Sequence, residues 1–257
     1  MATNLDNLAG IQNFLSSADI EGYRSVPYVP MGCYADETKK VRFKHDQLKK
    51  DWNTLLKNEK DEKEKNKLKA LRSTEALCLA TNHQFLPIGK SGVTFSFGID
   101  LGQVDESTLR KTYGISDQAI EAVRPYLKTT SATELKNVLG KRPVTIPPEV
   151  LKEFEVKYMA YYIDKTATKF DNTPLENTQA KAKTFANLPQ SNQSVLVSVM
   201  WQYGVNTKIK WINDIFLAGR IDNWQKVKEI LFQQKEYADR RKKEANMIVI
   251  TSENKSI

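Results

Sequence analysis

The sequence predicts a mostly helical α+β fold, and three observations carry this prediction. From residue 105 onward the chain divides into short segments, each with its own helix start and stop signals. One long apolar segment near residue 200 is typical of a central core helix. One region alternates apolar with small or polar residues between glycines, which is typical of strands. A small sheet beside many helices defines the α+β class.

The first predicted element is an amphipathic helix, with apolar residues at Leu8, Ile11, Phe14 and Leu15. Glu21 follows its end, within the sequence IEGYRSVPY. Burial of this carboxyl group against Ile20 and Tyr23 would raise its pKa. A general acid needs such a raised pKa near neutral pH, so Glu21 is a candidate proton donor.

A basic helical insertion is predicted at about residues 31–86. Residues 39–72 hold 13 Lys or Arg and 6 Asp or Glu, a net of +7 out of the chain's +8. A first helix presents one apolar face, formed by Leu48, Trp52, Leu55 and Leu56. After the apolar-free run KNEKDEKEKN, a second helix is predicted through Leu68, Leu71 and Leu77.

Two functions are open for these lysines. They either form a solvated, solubilising helical face or act as an electrostatic handle for an anionic polymer or an acidic inhibitor protein. Acidic residues alternate with the lysines, which argues against tight tracking of phosphates and hence against nucleic acid as a partner.

Cysteine and histidine are too scarce for a tetrahedral metal site of the Cys type. The chain has Cys33 and Cys78, with His45 and His83. No metal or cofactor is therefore expected. The simpler interpretation of the cysteines is two free, partly buried thiols. The other is a disulfide that staples the segment between them, which requires oxidising surroundings.

The C-terminal half is predicted as a series of helices, whose start signals are Asp105, Ser116, Ser131 with Glu134, and Pro148. Gly114 and Gly140 are the matching stop signals. The segment LPQSNQSVLVSVMWQYG predicts the core helix, which ends at Gly204. Two amphipathic helices follow, at about 212–217 and 224–231, separated by the tripeptide AGR.

The strand-like region is GKSGVTFSFGIDLG. Asp100 follows its alternating residues and precedes Leu101 and Gly102, so a turn is expected to present this carboxylate at a sheet edge facing a cleft. Glycoside hydrolysis needs one carboxyl group that stays protonated and a second that is ionised. Glu21 and Asp100 are candidates for these two tasks.

Two segments resemble the catalytic signature of pesticin and its relatives, which are similar to the phage lysozymes: EGYRSVPYVP and SGVTFSFGIDLGQ. The pattern T-x-S-x-G-x-D-L-G-Q carries most of the resemblance. More loosely, VLVSVMWQYGVN resembles the core helix of phage lysozymes, and the chain from INDIF to ANMI resembles their final helices. The resemblance covers about residues 5–30 and 87–250. It implies a lysozyme-like fold, with residues 1–257 as a single catalytic domain.

The resemblance also implies catalytic roles. Glu21 would be the general acid, and Asp100 would activate the attacking water or stabilise the oxocarbenium-like transition state. Thr94 would position that water. In typical phage lysozymes the second carboxylate follows the glutamate by nine residues, a position occupied here by Pro30. Asp100 must therefore take its place, as in pesticin.

Further contacts are expected around this pair. Gln202 would hydrogen-bond substrate or water in the cleft, and Arg240 or Arg241 would pair with Glu21 or with the substrate. The tyrosines of the helix that begins at Pro148, at positions 158, 161 and 162, are interpreted as core packing and not as a platform for sugar rings.

The expected function is hydrolysis of the β-1,4 bond between N-acetylmuramic acid and N-acetylglucosamine, with peptidoglycan glycan strands as partner. The chain would be a toxin, a secreted effector or a phage-type endolysin, with an immunity protein or delivery machinery as further partners. The alternative is a non-catalytic lysozyme-like module that binds cell wall or a partner. Since no signal peptide or membrane span is recognised, we expect delivery from the cytoplasm to the cell wall without stable membrane insertion.

Overall fold

A computed structural model describes residues 7–17, 24–35, 42–43, 45–70, 73–88, 90–139, 146–175 and 182–250. The helices are α1 (Leu8–Ser16), α2 (His45–Asn58), α3 (Glu62–Ala70), α4 (Thr74–Ala80), α5 (Glu106–Thr108), α6 (Asp117–Val123), α7 (Ala132–Leu139), α8 (Pro148–Asp171), α9 (Gln190–Tyr203), α10 (Lys210–Arg220), α11 (Trp224–Phe232) and α12 (Ala238–Met247). The strands are β1 (Arg24–Tyr28), β2 (Met31–Tyr34), β3 (Arg42–Phe43), β4 (Gln84–Pro87), β5 (Thr94–Ser96) and β6 (Ile99–Asp100). The fold is α+β and mostly helical, as the sequence predicts.

The predicted hairpin, β5 and β6, belongs to a sheet with the order β1-β5-β6 in the described part of the chain. Strand β1 pairs antiparallel with β5, and Tyr28 lies opposite Thr94. The sequence does not predict β1, because RSVPY contains Pro27 and does not alternate. Proline is tolerated at a sheet edge, where β1 lies, since an edge strand leaves some of its N–H groups outside the ladder.

The insertion begins and ends at neighbouring points. Strands β3, β2 and β4 form a second antiparallel sheet among the described residues, in which Met31 lies opposite Pro87. The chain therefore leaves the main lobe, which is the part of the fold outside the insertion, through β2. It returns to the main lobe through β4, the strand paired with β2. This closure explains how about 55 extra residues can separate β1 from β5 while these two strands still pair.

The helices of the insertion differ from the prediction. A single second helix through Leu68, Leu71 and Leu77 is wrong, because α3 ends at Ala70 and α4 begins at Thr74. Ser73 starts the new helix, since its side chain accepts a hydrogen bond from the Ala76 N–H. The prediction of a purely helical insertion also missed strands β2 to β4.

The charge of the insertion is less concentrated on its helices than the sequence total indicates. Residues 45–70 contain eight lysines and six acidic residues, a net of +2, so most of the excess lies in the flanking residues 39–44 and in Arg72. Lys65 and Lys67 also pair with Glu62 and Glu64 within α3. Positive and negative charges are therefore nearly balanced on the solvated surface of α2 and α3.

Cys33 and Cys78 form a disulfide that joins β2 to α4, with 5.6 Å between their Cα atoms. The interpretation as two free thiols is therefore wrong. Both residues are fully buried and form a small separate core together with Leu48 and Leu77. Partly buried aromatic residues pack around this core, namely Phe43, Trp52 and Phe85.

Helix α9 is the central helix of the main lobe, as predicted. Every residue from 192 to 200 is buried, and the helix ends at Gly204, whose φ of 81° suits glycine. Helices α1, α8 and α12 pack against it. The predicted helix break at AGR is wrong, since residues 218–220 belong to α10. The chain turns at Ile221–Asn223 instead, and the Asn223 side chain caps α11.

Most of the predicted helix signals are confirmed by local hydrogen bonds. Asp105 accepts from the Thr108 N–H, Ser116 accepts from the Ala119 N–H, and Ser131 accepts from the Glu134 N–H. Pro148 is the first residue of α8. Gly114 ends its helix with a φ of 68°, whereas Gly140 lies outside the described residues.

Among the described residues, none of the helices combines the length and the apolar character that are needed to cross a bilayer.

Candidate active site

The hairpin brings Thr94 and Asp100 together. Their Cα atoms are direct partners across the antiparallel pair of β5 and β6. Asp100 is the last residue of β6 and starts a 3-10 turn over Leu101–Gln103. In the described part of the chain β6 is an edge strand, so the prediction that a turn presents this carboxylate at a sheet edge is confirmed.

Two glycines hold the Asp100 carboxylate. Its Oδ1 atom accepts hydrogen bonds from the N–H groups of Gly92 at 2.9 Å and Gly102 at 2.8 Å. The two glycine backbones touch, and a Cβ atom on Gly92 would lie 2.6 Å from the Cα of Gly102. Only glycine at both positions lets the two donors converge on one oxygen without a clash.

Burial is the main influence on the Asp100 carboxyl group and raises its pKa above the usual value. Hydrogen bonds from Gly92 and Gly102 oppose this rise, as do the side chains of Gln103 and Ser91. The carboxyl group therefore takes up a proton at a higher pH than an exposed aspartate does.

Asp100 lines a cavity of about 450 Å³. The cavity lies between the hairpin, α8 and α9, and its wall contains polar and aromatic groups: Ser91, Gly98, Ile99, Asp100, Gln103, Val104, Tyr113, Tyr158, Tyr162, Trp201 and Gln202. A concave site with a carboxylate, an amide and several aromatic rings is suited to binding a sugar.

Aromatic side chains form one wall of this cavity. Tyr113 stacks on Tyr158 with 3.8 Å between ring centroids, and Tyr162 lies 4.6 Å from Trp201. The interpretation of Tyr158 and Tyr162 as core packing is therefore incomplete, because both also line the cavity. The i, i+4 spacing of these two residues on α8 was a signal for a shared face.

Thr94 lies beside Asp100 on the neighbouring strand and is not among the described residues that line the cavity. It is 3% exposed, and its hydroxyl group donates to the Gly92 carbonyl oxygen at 3.2 Å. In this arrangement Thr94 supports the loop that carries one of the two donors to Asp100.

Gln202 lies on α9 and lines the cavity, and Arg240 holds it there. The Arg240 Nη1 atom donates to Gln202 Oε1 at 2.6 Å, which fixes the orientation of the amide. The amide nitrogen of Gln202 is then the atom that remains to donate. Arg240 Nη2 also donates to the Ser198 carbonyl oxygen at 3.0 Å.

Arg240 and Arg241 are buried on α12, the helix that packs against α9. Arg240 contacts Glu244 at 3.2 Å, and Arg241 contacts it at 2.9 Å. The Arg241 guanidinium group also lies over the rings of Tyr203 and Trp211. This placement favours a supporting role over direct substrate contact. A buried charge needs such compensation, since its desolvation is costly.

Glu21 lies outside the described residues, so its predicted pairing with Arg240 or Arg241 does as well. Strand β1, which begins three residues after Glu21 in the chain, pairs directly with the hairpin. In the described ranges no cluster of three or more His, Cys, Asp or Glu residues has the arrangement of a metal site.

A second cavity, of about 570 Å³, lies between the end of α8 and α10. Lys169 and Asp214 are among its lining residues, but none of the predicted site residues that the structure describes lies there. The Asp100 cavity is therefore the better candidate for the active site, because it combines the carboxylate, Gln202 and the aromatic wall.

The chain belongs to the Pesticin family, described as a bacterial toxin homologue of phage lysozyme, C-terminal part, whose family model matches residues 67–214. The matched residues include Thr94, Asp100 and Gln202, together with the later part of the insertion. Glu21, Arg240 and Arg241 lie outside the match. No curated protein matches the chain. Membership of this family makes the chain a phage-lysozyme-like, peptidoglycan-related protein.

Proposed function

We propose that the chain is a muramidase that hydrolyses the β-1,4 bond between N-acetylmuramic acid and N-acetylglucosamine. One observation carries the proposal: the hairpin of a phage-lysozyme-like fold presents Thr94 and Asp100 side by side, and Asp100 lines a cavity of about 450 Å³. A cavity with an aromatic wall suits sugar rings, which bury their apolar faces against side chains such as Trp201.

The proposed mechanism divides the work between two carboxyl groups. Glu21 protonates the leaving oxygen as the general acid, and ionised Asp100 activates the attacking water or stabilises the positive charge of the transition state. Thr94 helps to position this water. The two N–H donors at Asp100 favour its ionised form and keep the carboxylate in one orientation.

Gln202 donates from its amide nitrogen to substrate in the cavity. Arg240 keeps that amide oriented through its hydrogen bond to Oε1. A preoriented donor makes its contact without losing rotational freedom on binding, which supports both affinity and rate.

We also propose that the protein acts in the periplasm or on the cell wall after delivery, as a toxin, effector or endolysin. The disulfide between Cys33 and Cys78 supports action outside the cytoplasm, since structural disulfides persist in oxidising compartments. An immunity protein or a delivery partner is a further proposal, without a contact surface assigned to it.

The test is release of muropeptides from purified peptidoglycan by the wild type and by Glu21→Gln, with folding checked by circular dichroism. We expect new reducing ends at muramic acid with the wild type, and a loss of roughly 10²- to 10⁴-fold with the folded variant. Undiminished release by Glu21→Gln would place the catalytic acid elsewhere.

A second outcome separates the enzyme from a binding module. If the folded wild type binds peptidoglycan but releases no fragments, the non-catalytic interpretation replaces the proposal. If it cleaves chitin and leaves the cell wall intact, the fold is retained but the assigned substrate is wrong.

A further inference from the structure

One residue of the cavity wall carries a polar atom that the protein itself does not satisfy. Tyr158 is 5% exposed, and within the described part of the chain its buried hydroxyl group has no hydrogen-bond partner. A buried donor that forms no hydrogen bond costs free energy. Such a group in the wall of a candidate active site indicates that a ligand supplies the missing partner.

The surroundings of Tyr158 fix the ring in place. Its face stacks on Tyr113 at 3.8 Å with an angle of 7° between the rings, and Phe154 lies 5.8 Å away on the same helix. The ring therefore has little freedom to turn its hydroxyl group toward another protein group. Tyr158 is one of the residues that line the cavity, and its ring keeps the buried hydroxyl group in one position there.

Among the described residues, Asp100 is a charged group that acts on this hydroxyl group. Burial, above all, raises the pKa of Tyr158, and the neighbouring Tyr113, Tyr162 and Asp100 add to the rise. The phenol therefore keeps its proton and remains a hydrogen-bond donor at every pH at which the protein would work. Donor and carboxylate line the same cavity.

We propose that the Tyr158 hydroxyl group donates a hydrogen bond to a sugar oxygen of peptidoglycan in the Asp100 cavity. The inference rests on the proposed function, because it assigns a contact within the same site. Asp100 then offers an acceptor and Tyr158 a donor to one sugar ring, while Gln202 donates from α9. Tyr158 thereby contributes to the selection of a hydroxyl-rich ligand.

The test compares Tyr158→Phe with the matched control Tyr161→Phe. Tyr158→Phe removes only the hydroxyl group and keeps the ring that stacks on Tyr113. Tyr161 lies on the same helix and packs edge-on against Tyr113 at 4.8 Å, but it is not among the described residues of the cavity wall. Both variants are measured for thermal unfolding and for kcat and KM on soluble peptidoglycan fragments.

Affinity is measured separately, by calorimetry with a tetrasaccharide of alternating N-acetylglucosamine and N-acetylmuramic acid, in the Glu21→Gln background to suppress turnover. We expect Tyr158→Phe to lower the affinity by about 3- to 10-fold. It should unfold at the same or a higher temperature, because it removes an unsatisfied buried group. Tyr161→Phe should match the parent in affinity, kcat and KM.

The opposite changes in stability and affinity identify a ligand contact, since a merely structural hydroxyl group would lower stability when it is removed. Affinity equal to that of the parent would overturn the proposal, as would a loss confined to kcat. A wild type that cleaves cell wall while Tyr158→Phe binds normally refutes the Tyr158 contact alone. A wild type that neither binds the tetrasaccharide nor cleaves cell wall refutes the proposed function as well.

Discussion

The main lobe and the insertion are stabilised by different interactions. The main lobe packs α9 among surrounding helices, and its core includes large buried side chains such as Phe154, Phe216 and Trp224. Among its described residues, the insertion has a core of four buried side chains, two of which are the cysteines of the disulfide. A small unit cannot bury enough apolar surface to stay folded by packing alone, so a covalent link replaces part of the core.

The two regions also differ in what they offer to function. In the main lobe a carboxylate, an amide and four aromatic rings converge on one cavity. The described helices of the insertion carry nearly balanced, exposed charges. Because β2 pairs with β4 at the base of the insertion, residues within the insertion can be replaced without altering the pairing of β1 with β5. Three predictions test this separation.

The largest expected effect is on activity, when an aspartate is replaced by asparagine in the main lobe and, for comparison, in the insertion. Asp100→Asn should reduce cleavage of peptidoglycan by roughly 10²- to 10⁴-fold, because it removes the charge that acts on water or on the transition state. Asp51→Asn on the exposed face of α2 should leave the rate unchanged. Rates on purified peptidoglycan, with circular dichroism as the folding check, give the comparison.

The dependence of activity on pH is a second test of the role of Asp100. Because burial raises the pKa of Asp100, activity that needs the ionised carboxylate should fall at a higher pH on the acidic side than for an exposed aspartate. A raised pKa in the folded state also means that ionised Asp100 reduces stability as pH increases through that pKa. Asp100→Asn should therefore unfold at an equal or higher temperature at neutral pH. A marked loss of stability would contradict this account.

The second effect is on the insertion alone. Replacement of both cysteines, Cys33→Ser with Cys78→Ser, removes a link across 45 residues, which corresponds to about 4 kcal/mol of chain entropy in the unfolded state. We expect faster amide hydrogen exchange in α2 and α4, with α9 still protected and cell-wall cleavage retained. Loss of protection in α9 would show that the two regions unfold together.

The smallest effect comes from removing one helix cap in each region. Ser73→Ala at α4 and Asn223→Ala at α11 each delete a side chain that accepts a backbone N–H, at a cost of about 1 kcal/mol. Asn223→Ala should lower the melting temperature of the main lobe by about 2–4 °C. Ser73→Ala should instead increase hydrogen exchange in the insertion and leave that melting temperature unchanged. Equal shifts in the main transition would mean that the regions form one cooperative unit.

The sequence predicted a large part of the candidate site, because the motif around Asp100 is short and its geometry is local. The hairpin, the turn after Asp100 and the glycines on either side all lie within about a dozen residues. Gln202 was a candidate through the resemblance of VLVSVMWQYGVN to the core helix of phage lysozymes. Tyr113 and the cavity-lining role of Tyr158 were not predicted, since these residues meet Asp100 only when α8 packs beside the hairpin.

What the sequence by itself determined is most of the helices after residue 105, with the caps at Asp105, Ser116 and Ser131, and the strand-turn-strand unit that carries Asp100. These elements depend on contacts within about four residues, such as Asp105 with Thr108, and such contacts can be read from spacing. The tertiary structure alone decided the partner of β1, the sheet of the insertion, and which of the two interpretations of Cys33 and Cys78, free thiols or a disulfide, is correct. Apart from the pairing of β2 with β3, which is local, those features join residues 45 to about 70 positions apart. Local periodicity contains no information about which distant segment completes a sheet, or about whether two distant cysteines come close enough to bond.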